Sequence, residues 1–97
     1  MQITPTVRIG GQTYTVTKLT RPCKSNVDVD GEIVYDMSTI AIREGLEEGN
    51  DYKNFVFIHE ILHGIFNHMC IEQDEALVSK ISKGLHMVIN DNPDIFK

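Results

Sequence analysis

The chain predicts an α+β fold, a small antiparallel sheet followed by two packed helices. Three observations lead there. Near the N-terminus apolar and polar residues alternate on either side of Gly10-Gly11, the pattern of a half-buried hairpin. Two short runs rich in β-branched residues follow, at 32–36 and 39–43. Beyond residue 50, apolar residues recur at helical spacing in two stretches separated by a polar break.

Each element can be justified in order. A two-residue turn at Gly10-Gly11 supplies the positive φ angles that tight hairpins need. It pairs Ile9 with Gln12, Val7 with Tyr14 and Pro5 with Val16 on one face, leaving Thr6, Arg8, Thr13 and Thr15 on the other. Residues 20–30 are polar and interrupted by Pro22, so they read as a loop, with Asp30-Gly31 as a turn signal. Two strands joined by Met37-Ser38 come next, then an acidic, glycine-flanked loop at 44–49. Asn50 or Asp51 is expected to cap the first helix. Phe55, Ile58, Leu62, Ile65, Phe66 and Met69 form its apolar stripe. Asp74 caps a second helix reaching about Asn90, whose stripe is Leu77, Val78, Ile81, Leu85, Val88 and Ile89. Gly84 costs that helix ~1 kcal/mol relative to alanine, which points to close packing at that position. Pro93 ends the element.

At 97 residues the chain suits one domain, 1–97, with a small core. A hydrophobic content of 41% fits a globular fold, and no apolar run reaches bilayer length. The N-terminal residues lack a basic segment followed by an apolar one, so no signal peptide is read and a cytoplasmic location is expected. Cys23 and Cys70 are then free thiols, and neither belongs to a Cys-x-x-Cys pair. A net charge of −5 without a basic cluster argues against nucleic acid as a partner.

The chemistry lies in His59-Glu60-Ile61-Leu62-His63. Side chains four apart on a helix share a face, so His59 and His63 can grip one zinc ion on the flank of the apolar stripe. Glu60, one step further round, can take a proton from water that the metal activates. A catalytic zinc takes three protein ligands, so the chain must supply one more. Glu75 fits best, in the first turn of a second helix that packs antiparallel to the first. Glu72 and His68 remain as alternatives, although His68 lies about 160° round the wheel from the His pair. Asp74 serves as the cap. His86 shares a face with Glu75 but sits about three turns away.

His59-Glu60-Ile61-Leu62-His63-Gly64-Ile65-Phe66, then a loop, then Asp74-Glu75-Ala76-Leu77 and the residues to Leu85, then Asp91-Asn92-Pro93, resembles short zincin-like metallopeptidases of phages and mobile elements. It is similar, more distantly, to the ImmA/IrrE-type domain. The resemblance covers the C-terminal half closely and the N-terminal strands only in general plan. It implies a minimal gluzincin fold with zinc held by His59, His63 and Glu75, a peptide or protein substrate, and the host cytosol as location for a phage-encoded chain. Independently of the resemblance, which supplies no second catalytic His or Tyr, Glu60 is the expected general base, and Tyr35, on a strand expected to border the cleft, is a candidate either to steady the oxyanion or, in the ordinary reading, to pack. The rival expectation is a catalytically inactive zinc-binding interaction module, or a phage regulatory protein, on the same scaffold.

Overall fold

The computed structural model describes residues 2–19, 30–43 and 49–95. The order is β1 (Thr6–Ile9), β2 (Gln12–Leu19), β3 (Gly31–Val34), β4 (Thr39–Arg43), α1 (Gly49–His68) and α2 (Glu75–Asp91), the α+β plan expected. The expected loops at 20–30 and 44–49 fall almost entirely outside the described residues, as does Cys23.

The hairpin forms in the anticipated register. Val7 pairs with Tyr14 and Ile9 with Gln12, and Val16 N–H donates to Pro5 O at 2.9 Å. Gly10 and Gly11 have φ of 59° and 87°, both in the region that side chains disfavour. Ile9 and Tyr14 are buried, Val7 and Val16 half-buried, and Thr6, Arg8, Thr13 and Thr15 face water.

The sheet departs from the expectation in one respect. It is mixed, with order β1-β2-β4-β3, because β4 rather than β3 lies beside β2 and runs parallel to it. Composition explains the order. β4 carries Ile40, Ala41 and Ile42, all buried, and such a continuous apolar run belongs in the middle of a sheet. β3, with Gly31 and Glu32, takes the edge and pairs antiparallel with β4 through the turn at 35–38.

Helix α1 lies between the sheet and α2, so it buries two faces rather than one stripe. Val56 and Phe57 join Ile9, Tyr14, Ile40 and Ile42 in one core cluster. Ile58, Leu62 and Phe66 pack with Val78 and Ile89 of α2 in another. At Gly64 the helix approaches the sheet closely: a Cβ there would lie 2.7 Å from Ile9 Cδ1. Ile65 and Met69, expected in the stripe, are instead exposed.

Asp74 is the N-cap of α2 as expected and accepts from Leu77 N–H at 3.1 Å. Helix α1 begins at Gly49, so Asn50 and Asp51 lie inside its first turn rather than at the cap. The Asp51 carboxylate accepts from Asn90 Nδ2 at 2.7 Å, tying the start of α1 to the end of α2. At the other end, Ile71 N–H donates to Phe66 O and Cys70 N–H to Asn67 O, with Cys70 at φ 58°. That pair of bonds is a Schellman stop, and it turns the chain sharply toward α2. Two of the six residues of the expected α2 stripe are buried, and Leu85 is partly buried. Val78 and Ile89 face α1, whereas Leu77, Ile81 and Val88 are exposed. Among the described residues, no helix is long and apolar enough to cross a membrane.

Candidate metal centre

His59 and His63 emerge from α1 between its two buried faces, where α2 begins. The Schellman stop returns the chain so that Glu75, in the first turn of α2, sits over both imidazoles. His59 Nε2 is 2.8 Å from Glu75 Oε1, and His63 Nε2 is 2.8 Å from Glu75 Oε2. One ligand atom from each residue lies within 4.8 Å of the other two, the only such group among the described residues. The site opens into a cleft of about 210 Å³ between the start of β3 and α1, lined by Gly31, Tyr52, Phe55, His59, Glu60 and Glu75. The histidines are largely buried, and the Glu75 side chain is 69% exposed, closing the group from the solvent side.

Glu60 is buried at 6% exposure on the sheet-facing side of the His pair. Gly31 makes room for it, since a Cβ on that strand would come 2.6 Å from Val56 Cγ1 and 3.2 Å from Glu60 Oε2. Burial pushes the Glu60 pKa up to about 7; His63 opposes the shift, and Glu75 and Glu32 add to it. Burial also lowers the pKa of His59, opposed by Glu75 and assisted by His63, which favours the neutral ring that a metal ligand requires.

His63 is held by Gln73, a residue outside the candidate ligands. Gln73 Nε2 donates to His63 O at 3.0 Å and to the Tyr35 hydroxyl at 3.1 Å. A carbonyl oxygen only accepts, so the amide nitrogen must face it, and Gln73 Oε1 must face His63 Nδ1, 2.7 Å away. Nδ1 therefore carries a proton; Nε2 hydrogen-bonds Glu75 Oε2 only when it is protonated too, and in the neutral ring it is the lone-pair nitrogen free to take a metal between itself and Glu75. This is the arrangement in which outer partners usually fix a metal-binding histidine. His59 lacks a matching partner: its Nδ1 is buried without a hydrogen bond. Its ring packs instead against Phe55, with centroids 6.0 Å apart. Nothing in the sequence singled out Gln73, a polar residue in a connecting segment just before a helix cap.

The remaining candidates lie elsewhere. The His68 ring covers the hairpin turn, where a Cβ on Gly10 would fall 2.2 Å from it. Glu72 is exposed and outside the group, and Cys70 is an exposed free thiol. His86 Nε2 lies 3.3 Å from Asp51 Oδ1. The Tyr35 hydroxyl, expected near an oxyanion, donates to His63 O at 3.3 Å and accepts from Gln73. Burial raises its pKa, with Glu60 and Tyr14 adding to the effect.

Two imidazole nitrogens and one carboxylate suit zinc by donor type, and the open side of the cleft leaves room for a fourth ligand. Compared with known proteins, the chain matches no family model, no curated protein and no solved structure.

Proposed function

We propose that the protein is a zinc-dependent peptidase in which His59, His63 and Glu75 hold the metal and Glu60 is the general base. The observation that carries this reading is the convergence of two imidazoles and a carboxylate from separate helices, with a buried fourth side chain, Glu60, at the same cleft. When bound, zinc supplies Lewis acidity that polarises a carbonyl and acidifies water toward a pKa of ~7.

The rest falls to the chain's own residues. Gln73, anchored on the His63 carbonyl and the Tyr35 hydroxyl, keeps the His63 ring in one tautomer and orientation. Burial keeps His59 available as a neutral donor. Glu60 takes a proton from the attacking water and delivers it to the amide nitrogen as the C–N bond breaks, so water adds across the peptide bond with no net change in protons. Glu60→Gln keeps the shape of the site but cannot accept that proton. We expect it to bind zinc as the wild type does and to lose peptide hydrolysis by at least ~100-fold. Hydrolysis at the wild-type rate would remove Glu60 from the role.

A second reading is a zinc-binding interaction module, or a regulatory protein, on the same scaffold. The engagement of the Tyr35 hydroxyl by His63 and Gln73 favours it, because it leaves that phenol bonded within the protein rather than directed at a substrate. Stoichiometric zinc without cleavage of any member of a diverse peptide library, in wild type and Glu60→Gln alike, would select this reading.

A further inference from the structure

Helix α2 packs chiefly on one neighbour, α1, through Val78, Ser82, Leu85 and Ile89. A surface helix with a single partner is expected to be polar on its remaining faces. This one is not. Leu77, Ile81 and Val88 are 44%, 39% and 40% exposed, and with Gly84 they occupy about 60° of the helix circumference beside the buried stripe. Met87, 59% exposed, lies at the margin. Gly84 has no explanation among the described residues, because a Cβ there would meet none of their atoms within 4 Å. Glycine in a helix interior costs ~1 kcal/mol relative to alanine, and it lets another backbone come close.

The charges flanking the stripe indicate what covers it. Lys80 and Asp91 lie on the same side of the apolar row, on either side of Gly84 along the helix. When a helix pairs antiparallel with its own copy about a twofold axis, the same flanks meet. With the crossing near Gly84, Lys80 of each copy comes within side-chain reach of Asp91 of the other, and both ion pairs form together. We propose that the outer face of α2 is a homodimer surface, in which Leu77, Ile81 and Val88 of two copies pack antiparallel across Gly84. The centre at His59, His63 and Glu75 lies on the opposite side of α2 and plays no part in the contact.

Sedimentation equilibrium of the full chain over a concentration series tests this. Metal-free and zinc-loaded samples run side by side separate the result from the proposed metal site. The wild type is expected to approach twice the chain mass in both samples. Ile81→Glu places a carboxylate in the apolar contact and should raise the dissociation constant by more than ~100-fold. Because Ile81 is partly exposed in the single chain, circular dichroism should show an unchanged fold. Lys80→Asp or Asp91→Lys alone should weaken the dimer ~10-fold, and the two together should restore it. A wild type that stays monomeric at every concentration overturns the proposal. So does a dimer indifferent to Ile81→Glu and to the charge exchange, or a monomer that instead sediments with phosphatidylcholine–phosphatidylserine vesicles.

Discussion

At His63 the two ring nitrogens have different partners, and the difference is set by one amide. Gln73 Oε1 faces Nδ1 because Gln73 Nε2 is committed to a carbonyl and a phenol. Removing it should leave the fold intact and free the ring: Gln73→Ala is expected to weaken zinc binding 10–100-fold, about the usual effect of losing an outer partner. Gln73→Glu, which keeps an acceptor toward Nδ1, should retain more of the affinity, and chelator competition reads both. Glu60 makes a prediction about pH in the metal-free protein. Its folded pKa of about 7 lies above the ordinary 4.5, so the folded state holds a proton that the unfolded chain releases between those values. Stability from this residue is therefore present below pH 4.5, declines as pH rises through that window, and is lost above it, by about 3 kcal/mol. Urea denaturation of metal-free Glu60→Gln should lack this decline, so the variant gains on the wild type between pH 4.5 and 8. His59, Glu60 and His63 were legible in the sequence because helical spacing alone puts the two imidazoles on one face. Gln73 was not, because its role depends on a chain reversal that spacing does not encode.

Among the elements, the turn between α1 and α2 does most to assemble the site. A left-handed residue ends α1, and that residue is Cys70 rather than the glycine such stops favour. Cys70→Gly should therefore stabilise the protein by about 1 kcal/mol, measured as a shift in the urea midpoint at unchanged m-value. Without that reversal Glu75 would not meet the histidines, so its place as a candidate ligand could be ranked from sequence only by assuming antiparallel helices. The strands divide in the same way. The β1–β2 register follows from two glycines and an alternating pattern, both local signals. The β2–β4 parallel pairing is non-local, and its clue was the unbroken apolar run at 40–42, which marks β4 as interior. The helix stripes were legible as apolar but not by destination: α1 serves two layers, and α2 leaves Leu77, Ile81 and Val88 outside.

For the whole molecule, the layers run sheet, α1, α2, and the candidate centre joins the two helices where α2 begins. A metal shared by His59, His63 and Glu75 would tie α2 to α1, so its binding free energy would add to the stability of the fold. Zinc at 100 times its dissociation constant should add about 2.7 kcal/mol, seen as a higher melting temperature that EDTA reverses. Calorimetric titration of zinc into metal-free wild type, His63→Ala and Glu75→Ala tests whether these three side chains hold the metal. One zinc per wild-type chain is expected, with a loss of most of the affinity in each variant and Glu75→Ala still folded because its side chain is exposed. A wild type that takes up no zinc, or a Glu75→Ala variant that binds as tightly as the wild type, would contradict that assignment.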